Sequence, residues 1–130
     1  MKKEKISTPV ADIQRGSDGI IRLRYTIPGT EVKLEDIKAV RAAIWEMSDG
    51  QKRPVLADIR NLKGSDREVT KYSSGEEMAQ SLKAAAILSD SVISRVLGNL
   101  FIGIGKPPFP TRLFNSETEA VEWLKGFVDG

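Results

Sequence analysis

The pattern of apolar and polar positions near the start of the chain predicts a β-hairpin. Residues 10–15 read as a short strand, and residues 20–27 as a second strand in which every other residue is apolar. The glycine-containing run 16–19 supplies the turn between them. Arg22 and Arg24 fall on the polar face of the second strand. We expect them to meet solvent there, although two arginines in register could also contact an acidic partner.

A three- and four-residue spacing of apolar side chains predicts a helix over residues 34–47, which Gly50 ends with a left-handed cap. The next apolar run, residues 54–60, is continuous rather than alternating in its first half. Such a run is typical of a strand that is covered on both faces. A hairpin followed by a helix and a buried strand indicates a right-handed crossover into a mixed sheet.

Two capping boxes follow this central strand, one led by Ser65 and one by Ser74. They predict two short helices, over residues 66–73 and 75–82, with a serine at the N-cap of each. A single helix kinked at Gly75 is the alternative. We prefer two helices because a reciprocal cap and a glycine coincide at the junction.

Residues 83–88 are ambiguous, since their alanines favour a helix whereas the alternation of strands and helices along the chain favours a strand. We prefer the strand. The strongly apolar residues 92–104 then predict a helix that is capped by Asp90 or Ser91. Its apolar residues recur in steps of four with further apolar residues alongside, so we expect a broad, strongly buried face. Gly98 and Gly103 would allow another backbone to approach closely.

A short strand over residues 111–114 and a terminal helix that begins after Ser116 end the pattern. Together the elements predict an α/β fold. Its centre is a mixed β-sheet of about five strands, formed by an N-terminal hairpin and then βαβ units, and flanked by helices. At 130 residues we expect one domain over residues 1–130, with the polar residues 1–8 flexible.

The amino-acid composition bears on function mainly through two residue types that are missing from the sequence. The sequence contains no cysteine and no histidine, which excludes disulfides, thiolate nucleophiles, Cys/His zinc sites and the Ser-His-Asp triad. We therefore expect no catalytic residue, no metal and no cofactor. A site made only of carboxylates or lysines stays open, although burial would have to shift their pKa values.

The net charge and the hydropathy of the chain limit the kinds of partner and the cellular location that we expect. A net charge of +2 does not indicate a nucleic-acid binder. The basic first residues are not followed by the apolar segment of a signal peptide, and no apolar run approaches the roughly 20 residues that span a bilayer. We therefore expect a cytoplasmic protein with no membrane span.

Three polar residues stand out around the end of the central strand. Asp58 follows an apolar run, where a carboxylate needs a partner, and Arg60 is two residues further on the same face. We expect a structural carboxylate, with a polar cluster of Asp58, Arg60 and Ser65 as the sharper alternative. Ser65 is expected to be a helix N-cap, and a phosphate on it would face the helix N-terminus.

The C-terminal third carries a resemblance at the level of residues. The run Lys-Pro-Pro-Phe-Pro-Thr-Arg-Leu-Phe at 106–114 and the run Glu-Ala-Val-Glu-Trp-Leu at 119–124 resemble the end of the SpoIIAA-like, STAS/SEC14-related small bacterial proteins. The order of elements over residues 9–128 fits the same family. The resemblance implies a mixed sheet flanked by helices. It also implies that Ser65 is comparable to the phosphorylatable residue of STAS anti-sigma-factor antagonists, although their Asp-Ser-Ser-Gly run is absent here.

Two functions follow as hypotheses. The first is a non-enzymatic STAS-like regulatory or interaction module that binds a protein partner or a second copy of itself. The alternative is a small apolar-ligand or lipid-binding protein of SEC14-like type, with a cavity uncovered by movement of residues 66–82, where Tyr72 and Met78 lie. An enzyme that uses Asp58 or a lysine is the least favoured hypothesis.

Overall fold

The structure, a computed structural model, describes residues 4–128. Strands and helices alternate along most of the chain. In order they are β1 (Lys5–Ser7), β2 (Ala11–Arg15), β3 (Ile21–Tyr25), β4 (Thr30–Val32), α1 (Leu34–Met47), β5 (Arg53–Asp58), β6 (Leu62–Ser65), α2 (Arg67–Ser73), α3 (Glu76–Ala79), β7 (Leu82–Leu88), α4 (Val92–Leu100), β8 (Thr111–Phe114) and α5 (Glu117–Lys125).

A six-stranded mixed sheet forms the centre of the molecule, in the order β1-β2-β3-β5-β7-β8. The first three strands are antiparallel, whereas β3, β5, β7 and β8 pair in parallel. The predicted α/β class, the hairpin and the strand over residues 83–88 are therefore confirmed. The prediction of about five strands missed β1. Residues 5–7 pair with β2 and so were wrongly expected to be flexible, while residues 1–3 lie outside the described residues.

A second, two-stranded parallel sheet of β4 and β6 was not predicted. Both strands are too short, at three and four residues, for a period of two to be visible in the sequence. Asn61 joins this small sheet to the large one, because its side-chain amide donates to the carbonyl of Tyr25 at 2.8 Å. Its own carbonyl accepts from the backbone N–H of Gly29 at 2.9 Å.

The predicted helix over residues 34–47 is confirmed as α1, whose apolar stripe is buried against the sheet. The two short helices after the central strand are also confirmed as separate segments, α2 and α3. Their caps differ from the prediction. Asp66, not Ser65, caps α2 by accepting from the N–H of Val69 at 3.0 Å. Gly75 is the N-cap of α3, while Ser74 ends α2 and donates to the carbonyl of Thr70 at 2.7 Å.

The two faces of the large sheet are covered unequally. The larger hydrophobic core lies on one face and is formed with α1, α2, α3 and α4. The smaller core lies on the other face and includes Leu56, Leu88, Phe114 and Leu124. There α5 packs on β5, β7 and β8, so the part of this face that β1, β2 and β3 form stays open.

The prediction of a broad, strongly buried helix after residue 91 was wrong. Ser91 caps α4 as predicted, but α4 ends at Leu100 and continues as a π-helical turn, Phe101–Gly105. Four large apolar side chains of α4 point away from the protein: Val92 is 73% exposed, Ile93 57%, Val96 50% and Leu100 45%. The helix contacts the sheet through Ser94 and Gly98 instead, which are both buried.

We predict that Gly98→Val destabilises the protein by about 1–3 kcal/mol, the usual range for overpacking. A Cβ atom at Gly98 would lie 2.7 Å from Cδ1 of Leu113 and 3.5 Å from Cγ2 of Ile87. Urea unfolding followed by circular dichroism measures the change. Gly103→Val is the matched control, since among the described residues no heavy atom lies within 4 Å of a Cβ placed there. Equal stability of the two variants would contradict the close contact at Gly98.

Candidate functional site

A salt bridge closes the carboxyl end of β5. Asp58 is the last residue of this strand and is only 8% exposed. One carboxylate oxygen accepts from the backbone N–H and from Nε of Arg60, at 3.1 and 2.9 Å, and the other accepts from Nη2 at 2.7 Å. The hydrogen bond to Asp58 raises the pKa of the Arg60 guanidinium. The structure thus brings together the Asp58 and Arg60 of the predicted polar cluster.

Ser65 does not join this pair. It is an exposed residue at the end of β6 and lines an apolar cavity on the α1 face of the sheet, whereas Asp58 lines a groove on the opposite face. The cap of α2 is already supplied by Asp66. A phosphate on Ser65 would therefore lie next to a carboxylate rather than on a free helix terminus. Phosphorylation of Ser65 stays a prediction.

The groove beside Asp58 is polar and balanced in charge. It has a volume of about 240 Å³ and lies where the open half of the sheet meets the start of α5. Its cationic lining residues are Lys5, Arg22 and Arg24, and its anionic lining residues are Asp12, Asp58 and Glu117. Because cations and anions are equal in number, the groove does not favour a strongly charged ligand of either sign.

Two ion pairs hold the rim of this groove. Lys5 lies 3.5 Å from Asp12, and Arg22 lies 3.0 Å from Asp18. The hydrogen bond from Arg22 lowers the pKa of the Asp18 carboxyl. Arg22, expected to meet solvent, thus pairs within its own hairpin.

An apolar cavity of about 120 Å³ lies on the other face, between the sheet and helices α1, α2 and α4. Tyr25 at the end of β3 and Ala57 in β5 belong to its sheet side, and Leu97 and Phe101 to its α4 side. Val69 and Met78 of the segment 66–82 also line it. The hypothesis that movement of this segment admits an apolar ligand stays a prediction.

Four of the six large apolar side chains that are exposed among the described residues lie on the outer face of α4. We call Val92, Ile93, Val96 and Leu100 the α4 face. It begins near Arg60, whose guanidinium interacts electrostatically with Asp90 just before the helix. Sequence analysis missed this face because the apolar residues of α4 form one side of the helix, and that side was expected to be the buried one. The small residues Ser94 and Gly98, four apart, were the signal that identifies its inner side.

Two features are absent from the described residues. Residues 4–128 hold no cluster of three or more acidic side chains that could bind a metal ion. None of their helices has the length and the apolar character required to cross a membrane.

Residues 14–128 match the family model described as "Domain of unknown function (DUF7793)", so the chain belongs to that family. No curated protein matches the sequence. Solved structures do match the fold. An uncharacterised protein of the DUF3478 family with a SpoIIAA-like fold, from Shewanella loihica PV-4, has a TM-score of 0.61 at 19% identity, covering 92% of this chain and 98% of that one.

Two anti-sigma factor antagonists have the same fold. One, from Mycobacterium paratuberculosis, has a TM-score of 0.57 at 15% identity and covers 92% of this chain and 99% of its own. The other, SpoIIAA in its unphosphorylated form, has a TM-score of 0.58 at 17% identity and covers 89% of this chain and 96% of its own. The chain therefore has a SpoIIAA-like, STAS-type fold, which confirms the resemblance noted in the sequence.

We predict that Asp58→Asn lowers the free energy of unfolding by about 1–3 kcal/mol, because the buried end of β5 loses its charged hydrogen bonds to Arg60. Arg60→Gln should cost at least as much, since it leaves the buried carboxylate of Asp58 without its counter-charge and with the backbone N–H of residue 60 as its remaining partner of the three. Urea unfolding of both variants tests this. If Asp58→Asn were as stable as the unmodified chain, the salt bridge would have no structural role.

We predict that the Arg22–Asp18 pair stabilises the protein at neutral pH and not in acid. Because the folded state lowers the pKa of Asp18 below the ordinary 3.8, its contribution is present above that pH and is lost as the pH falls through the lowered value. Both groups are partly exposed, so Asp18→Asn should cost less than about 1 kcal/mol at pH 7. Urea unfolding at pH 7 and pH 2.5 measures it; a cost that persisted in acid would contradict the assignment.

Proposed function

We propose that this DUF7793 protein is a non-enzymatic, STAS-like regulatory module that acts by binding another protein through the α4 face. The observation that carries the proposal is the exposure of four large apolar side chains on one nine-residue helix. Contiguous exposed apolar surface in a soluble domain marks an interaction site. The structural likeness to two anti-sigma factor antagonists, which act as regulators, supports the same class of function.

The chemistry of the partner follows from the surroundings of the α4 face. Arg95 is the only charged residue of α4 and is exposed, and Arg60 lies close to the start of the helix with an exposed fraction of 40% for its side chain. The charge of Arg60 is offset by Asp58 and Asp90, so Arg95 is the cation that a partner would meet. An apolar helix face with one arginine beside it fits an apolar groove with a carboxylate at its rim. A membrane surface is less suitable, because interfacial helices have a strongly charged polar face, rich in lysine and arginine.

The absence of catalytic groups supports a binding function. The chain has no histidine and no cysteine. The best-placed carboxylate, that of Asp58, is already engaged in three hydrogen bonds with Arg60. A general base must instead be free to accept a proton from a substrate.

A lipid carrier of SEC14-like type is less well supported. The cavity measures about 120 Å³, whereas pockets for drug-sized ligands have roughly 300–1,000 Å³. A lipid chain would enter only if α2, α3 or α4 moved away from the sheet.

The proposal is tested by introducing a charge into the α4 face. We expect Ile93→Asp and Val96→Asp to weaken partner binding at least about tenfold, because a carboxylate would be buried in an apolar contact. Arg95→Glu should weaken it several-fold and reduce its salt dependence. All three positions are exposed, so the fold should be retained.

The partner is first identified with a photo-crosslinking amino acid at position 96 in the source organism. It is then purified, and its affinity for each variant is measured by calorimetry. Ala42→Asp on α1 is the control, since it places the same charge at an exposed mid-helix position away from α4. Unchanged affinity for Val96→Asp, a cross-link only between copies of the chain, or binding to vesicles instead of a protein would contradict the proposal.

A further inference from the structure

We propose that the cavity between the sheet and helices α1, α2 and α4 is a binding site for a small, uncharged, ring-sized molecule with one polar group, which hydrogen-bonds to the hydroxyl of Tyr25. This inference does not depend on the proposed function of the α4 face. Three observations carry it: a buried hydroxyl without a partner, a cavity of matching size, and a lining without charge.

The hydroxyl of Tyr25 is the first observation. Tyr25 is the last residue of β3, is 4% exposed and lines the cavity. Among the described residues this hydroxyl has no hydrogen-bond partner; the hydrogen bond from Asn61 goes to the backbone carbonyl of Tyr25. Burial raises the pKa of Tyr25 far above its ordinary value, so the phenol keeps its proton and can donate it. A buried tyrosine hydroxyl usually has a partner.

The size of the cavity sets the size of the ligand. At about 120 Å³ it is slightly smaller than an engineered apolar cavity of about 150 Å³ that binds benzene. One ring of five or six atoms is therefore the largest body that fits without movement of the helices. A cavity of this size would also accommodate several waters, but each would need at least two polar partners. The aliphatic residues that form most of the lining do not provide them.

The lining determines the chemical class. Within the described part of the chain, no charged side chain lines the cavity, so a charged ligand would lose its hydration without compensation. Besides Tyr25, the polar groups of the lining are hydroxyls, those of Ser65, Thr70 and Ser73. The hydroxyl of Thr70 already donates to the carbonyl of Asp66 at 3.4 Å. Tyr25 on the sheet side is thus the natural donor to a single carbonyl or hydroxyl of the ligand.

Phenol and toluene are the probes, because they have nearly the same shape and differ by one hydroxyl. We expect both to shift the backbone amide resonances of lining residues such as Ala57 and Val69 in two-dimensional ¹H–¹⁵N spectra. Phenol should bind with a Kd of about 0.1–10 mM, a range suited to seven non-hydrogen atoms. Tyr25→Phe should weaken phenol about fivefold, the effect of one neutral hydrogen bond, and leave toluene within about twofold.

Ala57→Ile fills the cavity from the sheet and should abolish the binding of both probes while the far-ultraviolet circular dichroism is retained. The proposal is overturned if neither probe shifts the lining resonances, or if Ala57→Ile still binds both. It is also overturned if Tyr25→Phe leaves the affinity for phenol unchanged, because the hydroxyl would then have no ligand role. Should the tyrosine variant unfold, saturation of the unmodified protein with toluene but not with phenol would count against the proposal in the same way.

Discussion

The close approach of α4 to the sheet at Gly98 is the constraint on which the arrangement of the second half of the molecule depends. A side chain at this position would collide with Leu113, and it would also contact Ile87 on the neighbouring strand. Since the small residues Ser94 and Gly98 lie where the helix approaches the sheet most closely, the four large side chains of the α4 face have no place between helix and sheet. They point outward instead.

The same contact gives α4 two different surfaces. Its inner side, with Leu97 and Phe101, forms one wall of the apolar cavity, and its outer side is the α4 face. Larger side chains at the inward-facing positions of α4 would fill the cavity and move the helix further from the sheet. Both candidate binding regions of this protein, the cavity and the α4 face, therefore result from the way α4 packs on the sheet. Neither region requires a catalytic group.

Sequence patterns were sufficient where the apolar side of an element is also its buried side. The helix α1 was predicted at its observed bounds because its apolar residues form a single stripe, and the need of Asp58 for a partner led correctly to Arg60. The pattern was insufficient for α4, because periodicity shows which side of a helix is apolar but not whether that side faces the sheet or points outward. The prediction of Ser65 as the N-cap of α2 was wrong for a different reason. Ser65 and Asp66 are equally good N-caps, and only the pairing of β6 with β4, itself invisible in such short strands, assigns the cap to the second of them.

The hydroxyl of Tyr25, which makes no hydrogen bond within the described part of the chain, shows most clearly what a sequence does not contain. Its alternation with Leu23 correctly places it on the buried face of β3, and on that basis it is an ordinary core residue. Whether its hydroxyl finds a partner depends on which groups α1 and β4 bring near it, and those groups come from other parts of the chain. Asp58 is the opposite case, because its partner Arg60 is only two residues away and was therefore predictable. The distance along the chain between a polar group and its partner thus decides how much of a site can be inferred before the fold is known.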